Sequence, residues 1–323
     1  MLSDVEVGAF LSGGVDSGYL ASSSGADQAF TVGFDEGDRY SEVNKAAKVA
    51  EKAGLKHHVK IISKQEFWDA LPDVMYHMDE PLGDASAVAL YFLSKEAAGH
   101  VKVVLSGEGA DELFGGYNIY REPEALKKVA WIPFVLRRTV RKLAAKLPDV
   151  KGRDFLIRAG MKVEERFIGN AYIYREKEKA QILKNKVTGP STQEYLSQFY
   201  EELESENRDS LQDMEKMQSV DLRYWLPGDI LQKADKMSMA HSLEVRVPFL
   251  DKEVFDFAAK LPKETKIAAG TTKYIFRKAV SEFLPQETDE RKKLGFPIPI
   301  RVWLRQDDWY QMVKELFTSK EAE

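Results

Sequence analysis

The string Ser12-Gly13-Gly14-Val15-Asp16-Ser17 holds the residue types that phosphate chemistry requires, directly behind an apolar, β-forming run, Val5–Leu11. Two glycines let the chain turn sharply and bring bare backbone N–H groups close to a ligand. A helix starting here presents unpartnered N–H groups and a dipole that favours an anion. Ser12 and Ser17 add hydroxyls, and Asp16 adds a carboxylate able to hold a divalent cation against phosphate oxygens. No Lys-Ser or Lys-Thr follows, so the string is not a Walker A loop. A plain Gly-Ser turn would account for SGG alone; all six residues behind a strand point to phosphate binding.

A second constellation runs from Ser106 to Tyr117, SGEGADELFGGY. Glu108, Asp111 and Glu112 have i, i+3, i+4 spacing, which places them on one face of a starting helix. Carboxylates crowded in this way need cations, and a Mg²⁺–pyrophosphate would supply them. An acidic helix start is favourable by its dipole alone; its place after a strand, next to the first string, turns the reading toward the metal. Lys236 and Lys273 lie in charged helical text, where a solvated face is the ordinary outcome. Arg246 is flanked by Val245, Val247 and Phe249 and needs a partner, a role that a structural carboxylate would fill equally well. Asp79, Glu80 and Asp84 form a polar stretch that either contributes to substrate binding or is a solvated connector. His241, Phe255, Phe257 and Phe276 read as packing residues. The five histidines are scattered, and His57-His58, on a strand, point to opposite faces, so no shared metal is expected.

The elements that must position these residues alternate. Val5–Ser12, Ala29–Phe34, His57–Ile62 and Val101–Ser106 read as strands. Helices are expected from Ser41 to Ala53 with Gly54 as a stop, near Gln65–Met78 with a break about Pro72, and over Ser86–Ala98. This alternation argues for an α/β fold with a parallel twisted sheet covered by helices on both faces. Ligands of such sheets bind beyond the carboxyl ends of the strands, where both strings fall. From about Tyr120 charge-rich helical text dominates, as in Leu126–Leu147, Glu194–Glu204 and Leu211–Tyr224. The expected division is an ATP-binding core over 1–120 and a largely helical extension over 121–323.

Composition narrows the class. The chain has 323 residues, 44% hydrophobic and 31% charged, with a net charge of −5 that does not suit a nucleic-acid partner. It has no cysteine, which excludes a disulfide framework, a thiolate zinc site and a cysteine nucleophile. No apolar run reaches membrane-spanning length and no signal peptide is visible, so a cytoplasmic location without membrane partners is expected.

The first string resembles the SGGxDS pyrophosphate loop (PP-loop) of ATP pyrophosphatases. Together with SGEGADELFGGY, WLPGDILQKADKMSMAHSLEVRVPFLD (Trp225–Asp251), GTTKYIFRKA (Gly270–Ala279) and RKKLGFPIPIRVWL (Arg291–Leu304), it resembles the synthetase domain of the asparagine synthetase B family. The resemblance runs in order from about residue 3 to 310. It implies an adenine-nucleotide α-hydrolase-like fold and ATP-dependent amidation of aspartate through a β-aspartyl-AMP intermediate. Carried onto matching positions, it implies that Ser12, Gly13, Gly14, Asp16 and Ser17 bind the pyrophosphate, and that Asp16 and Asp111 hold Mg²⁺. Leu11, Val32, Ser106 and Gly107 would receive the rest of the nucleotide. Glu108 would deprotonate or position ammonia, Lys273 would stabilise charge at the α-phosphorus, and Lys236 and Arg246 are candidates for substrate or phosphate contact.

Members of this family carry an N-terminal glutaminase domain whose first residue is a cysteine nucleophile; this sequence has no counterpart of it. An excised domain is the expected explanation, with reliance on external ammonia as the alternative. The expected partners are therefore aspartate, ammonia, ATP and the missing glutaminase domain, with a homodimer left open. A relative on the same scaffold, of the β-lactam synthetase or peptide cyclase type, would use an internal amine and a Tyr-Glu pair, for which neither Tyr120 nor Tyr224 is marked. A nucleotide-binding module without turnover is a third reading, which the intact Glu108, Asp111 and Lys273 oppose. Superfamily members that make NAD, GMP or argininosuccinate would not explain VRVPFLD or LGFPIPIRVWL.

Overall fold

The computed structural model describes residues 3–37, 40–80, 83–170, 173–174, 176–184, 188–206, 211–289 and 298–320. Half of the stretch Arg291–Leu304 singled out above, residues 291–297, lies outside the described residues.

The chain divides into two compact units. The first comprises Met1–Glu108, Leu231–Asp251 and Arg277–Glu323; the second comprises Gly109–Ile230 and Lys252–Phe276. The single boundary near residue 120 expected from sequence texture differs from this division. Leu231–Asp251 and Arg277–Glu323 belong with the α/β unit because their apolar residues share its core, and Leu231–Asp251 adds a strand to its sheet.

The first unit is built on a five-stranded parallel sheet of order β3-β2-β1-β4-β5. The strands are β1 (Val7–Phe10), β2 (Gln28–Phe34), β3 (Lys56–Ile62), β4 (Val103–Leu105) and β5 (Glu244–Arg246). The helices between them are α1 (Val15–Ser23), α2 (Val43–Ala53), α3 (Lys64–Asp69), α4 (Leu71–Met78) and α5 (Ser86–Ala98). Every residue of β1, β2 and β4 is buried, as a sheet covered on both faces requires. β3, at one edge, keeps solvent-exposed residues. The expected helix near Gln65–Met78 is two helices that meet at Ala70, with Pro72 in the first turn of α4, where its missing N–H is tolerated. Gly54 ends α2 in the left-handed conformation, as expected of a stop. Phe30, Phe34, Phe67, Trp303 and Trp309 belong to one buried cluster, and the Trp303 indole donates to Glu36 Oε1 at 2.6 Å.

The second unit is helical among its described residues, with a separate core that includes Tyr120, Phe167, Met214, Met217 and Ile267. The helical text at Leu126–Leu147 is interrupted: one helix ends at Lys127, and the next, Phe134–Ala144, begins after Pro133. Phe276 is buried against Phe114, but Phe255 and Phe257 are exposed rather than core, which corrects that expectation. Helix Lys252–Ala259 buries only Ala258 fully, so its two phenylalanines sit off the packed face. No helix among the described residues is long and apolar enough to cross a membrane.

Candidate active site

β1 is central, with β2 on one side and β4 on the other. The chain runs from β1 through β2 to β3 on one side and then returns to β4 on the other, so the carboxyl end of β1 is a topological switch point, where a crevice opens in α/β sheets. The Ser12–Ser17 string occupies that point. The last β1–β2 pair is Phe10 with Phe30, after which Leu11 N–H donates to the Phe30 carbonyl at 2.9 Å and the chain turns away. The Leu11 carbonyl accepts from the Thr31 hydroxyl at 2.6 Å, so both backbone groups of Leu11 are engaged within the unit. Val32 lies two residues past that last pair, where β2 continues beside β3 alone.

The turn is held by its own serines. Ser12 N–H donates to Ser17 Oγ at 3.1 Å, the two hydroxyls lie 3.0 Å apart, and Gly14 N–H donates to Ser12 Oγ at 3.3 Å. Gly13 has φ +74°, and a Cβ there would stand 2.7 Å from Ala46 N, so both conformation and space demand glycine. α1 begins after Gly14 with no side-chain cap, and Asp16 lies in its first turn. An uncapped helix start behind a glycine turn is the geometry that suits a phosphate.

The second string arrives alongside. β4 pairs with β1, and the continuation of β4 is tied by Ser106 N–H to the Arg246 carbonyl of β5 at 2.9 Å. A Cβ on Gly107 would lie 3.2 Å from Asp16 Cβ and 3.3 Å from Ser17 N. Glu108 is only partly buried as a residue, yet its Oε2 is enclosed and makes no hydrogen bond among the described residues. Burial pushes its carboxyl above the usual carboxylate range. The Ser106 hydrogen bond and the Lys233 charge oppose that rise, and the Asp16 charge adds to it.

The second unit carries its own charged cluster, on the short helix α6 (Ala110–Phe114) and the turn after it. Lys273 Nζ lies 2.8 Å from Asp111 Oδ1, with 3% of the lysine side chain exposed. The charged text around Lys273 suggested a solvated face; burial against Asp111 replaces that expectation. Lys273 holds φ +53°, a left-handed conformation uncommon for a residue with a side chain. Beside it, Glu112 accepts from the Tyr117 hydroxyl at 2.6 Å, and Trp225 Nε1 donates to the same hydroxyl at 3.1 Å. Burial raises the Glu112 carboxyl, against the Tyr117 hydrogen bond. This Tyr-Glu pair is closed: Glu112 is 1% exposed and Gln218 Nε2 donates to its backbone carbonyl at 2.5 Å. The pair lies within the second unit, at the turn that follows α6.

The remaining candidates lie as follows. Lys236 pairs with Asp79 at the surface of the first unit. Arg246 donates from Nε to Glu244 Oε1 at 2.6 Å, two residues away on the same strand, which is the structural carboxylate weighed above. His241 packs edge-on against Tyr91, as expected of a packing residue. Asp84 is no solvated connector: it accepts from Ser86 N–H at 2.9 Å and pairs with Lys233, whose side chain is 7% exposed. Burial would raise the Asp84 carboxyl, but the Lys233 charge and hydrogen bond bring it below the usual range. Lys233 was missed in the sequence because nothing in QKADKMSM separates it from Lys236. Tyr117 was missed as well, although its place in FGGY, five residues after Glu112, was the available signal.

The residues present fit a nucleotide with a divalent cation. The turn at Gly13 excludes any Cβ, the approach at Gly107 leaves little room for one, and Asp16 offers a carboxylate at an uncapped helix start.

Comparison with known proteins agrees with this geometry. The family model for asparagine synthase matches residues 1–323. Asparagine synthetase [glutamine-hydrolyzing] 1 of Bacillus subtilis (strain 168) is 46% identical over 97% of this chain and 50% of its own length. A Mycobacterium tuberculosis protein (strain ATCC 25618 / H37Rv) with the provisional name asparagine synthetase [glutamine-hydrolyzing] is 44% identical over 94% of this chain and 47% of its own. The chain spans about half the length of the curated relatives it matches. With a family match over its whole length and 46% identity to the Bacillus subtilis protein, the chain belongs to the asparagine synthase family.

Proposed function

We propose that this chain is the amide-forming half of an ATP-dependent ligase that converts aspartate to asparagine. The observation that carries the reading is the close approach of Gly107 to Asp16 and Ser17, with the enclosed Glu108 carboxyl next in sequence. The turn Ser12–Ser17 holds the pyrophosphate through backbone N–H groups and hydroxyls. Leu11, Val32, Ser106 and Gly107 border the nucleoside side of the same crevice. Asp16 and Asp111 are the carboxylates that would hold Mg²⁺, which when bound would share the charge of the leaving pyrophosphate.

In the proposed reaction the β-carboxylate oxygen of aspartate attacks the α-phosphorus, the bond to the bridging oxygen breaks, and pyrophosphate leaves. Lys273 offsets the charge that develops at phosphorus. Ammonia then attacks the carbonyl carbon of β-aspartyl-AMP, and AMP leaves with the bond electrons. Glu108 takes the proton that the nitrogen sheds; a carboxyl pushed upward by burial is a stronger base once ionised. Lys236 and Arg246 remain secondary candidates for substrate contact, and the carboxylate Asp84, held by Lys233, is a further one. Ammonia would normally come from a glutaminase domain of the kind that completes the family's longer members, and a cytoplasmic location suits such an enzyme.

ATP–pyrophosphate exchange tests the reading. Exchange that requires both aspartate and Mg²⁺ is expected. Exchange that is indifferent to aspartate, or that appears only with an amine-bearing acid, would move the chain to another member of the scaffold.

A further inference from the structure

At the amino ends of the strands, the opposite end of the sheet from the glycine loops, the fold gathers groups that the sequence scatters. His58 lies near the start of β3, Glu96 in the last turn of α5, and His100 two residues beyond that helix. One ligand atom from each lies within 4.8 Å of the others. His100 Nε2 and Glu96 Oε1 are 3.5 Å apart, close to the edge of a tetrahedron of ligands about 2.0–2.1 Å from a central zinc ion. Neighbours His57 and His58 do point apart, as a strand requires; the partner of His58 is His100, whose ring centroid lies 3.9 Å away. His57 is engaged elsewhere, with Nε2 2.7 Å from the Thr31 hydroxyl.

The surroundings of His58 are those of a ligand held in place. Its Nε2 lies 2.7 Å from Gln28 Oε1, and Gln28 Nε2 donates to Glu6 Oε1 at 2.8 Å. The Glu6 carboxylate can only accept, so Gln28 presents its oxygen to the imidazole. His58 therefore donates from Nε2 and keeps the lone pair on Nδ1. Gln28 is buried, and metal-bound imidazoles carry an outer hydrogen-bond partner of this kind. The face of His58 stacks on Phe30 at 5.0 Å, which fixes the ring plane.

We propose that His58, Glu96 and His100 form a surface site for a divalent transition metal of the zinc type. Two imidazoles and one carboxylate suit zinc better than magnesium, and three protein ligands leave a fourth position for water. The site is independent of the proposed Mg²⁺ carboxylates, and its occupation ties the end of α5 to the start of β3.

The test uses the full chain, stripped with chelator and then titrated with ZnCl₂ in excess Mg²⁺, followed by calorimetry and thermal unfolding. Uptake of one zinc per chain with a rise in Tm is expected. In His100→Ala, an exposed position whose loss leaves the core intact, affinity should fall by at least about 10-fold and the Tm rise should vanish. Glu96→Gln should weaken uptake, and His77→Ala should leave it unchanged. Absence of stoichiometric uptake, uptake that survives His100→Ala, or equal loss in His77→Ala would each overturn the site. Cobalt offers a second reading: a visible band of tetrahedral Co²⁺ in the parent chain and none in His100→Ala is expected, and the reverse counts against the proposal.

Discussion

Lys273 Nζ and Asp111 Oδ1 form a buried ion pair of 2.8 Å, and Gly116 is packed against both partners. A Cβ at Gly116 would fall 1.8 Å from Asp111 Oδ1 and 2.3 Å from Lys273 Cε. Gly116→Ala must therefore displace the pair. A loss of about 1–3 kcal/mol in stability is expected, with a larger proportional loss of exchange activity. Thermal unfolding and pyrophosphate exchange on one sample check it; unchanged exchange would remove the pair from the reaction.

Removing one partner tests the pair in another way. Lys273→Met leaves the Asp111 carboxylate enclosed without its cation, a change that costs about 3–5 kcal/mol at a buried pair. Lys273→Met combined with Asp111→Asn should recover much of that stability while staying inactive. A double variant no more stable than Lys273→Met would show that the lysine acts through packing alone.

The Glu108 carboxyl sits above the usual range because of burial, so its ionised form appears only at higher pH than for an exposed glutamate. As a base it should make amide formation rise with pH through that raised range, while adenylation stays comparatively flat. Glu108→Gln should keep pyrophosphate exchange better than asparagine formation and lose the pH dependence of the second step. Equal loss of both steps reassigns the residue to nucleotide or metal binding. Asp16→Asn, in contrast, should abolish exchange with the circular dichroism spectrum unchanged.

Asp221 is fully buried, and burial raises its pKa to about 7 despite hydrogen bonds from Tyr120 and Asn170. Between the ordinary carboxylate range and about 7 the folded chain keeps a proton that the unfolded chain has released. Stability contributed by this group is therefore full at low pH and is lost as pH rises through the folded value. The size is on the order of 4 kcal/mol for a shift of this extent. Asp221→Asn should flatten the fall in Tm between about pH 4 and 7 relative to the parent chain; an equal slope in both proteins would mean the carboxyl is ionised throughout.

Elements with strong local signals were legible in the sequence. Ser86–Ala98 is a helix with the expected bounds, and the four strands of the first third appear within a few residues of their expected places. The turn at Ser12–Ser17 was legible because the conformation and close approach at Gly13 tolerate few other residues. What escaped was set by distant partners. β5 is three residues long, and it exists because β4 offers an open edge to Glu244–Arg246. Lys273 lies in charged text and is buried only because Asp111 meets it there. Lys233 and Lys236 are three residues apart on one helix, yet one is enclosed against Asp84 and the other pairs with Asp79 in the open.

Trp303 and Trp309 enter the core of the first unit from a segment that follows the second unit in sequence. Trp303 is completely enclosed, with Phe34 and Phe67 as ring neighbours at 5.9 and 5.1 Å. Ribosomal synthesis therefore delivers the glycine turn after β1 long before the side chains that close the wall behind β2. Until the last portion emerges, that wall stays open and greasy, so shortened or stalled products should aggregate rather than persist as small ATP-binding fragments.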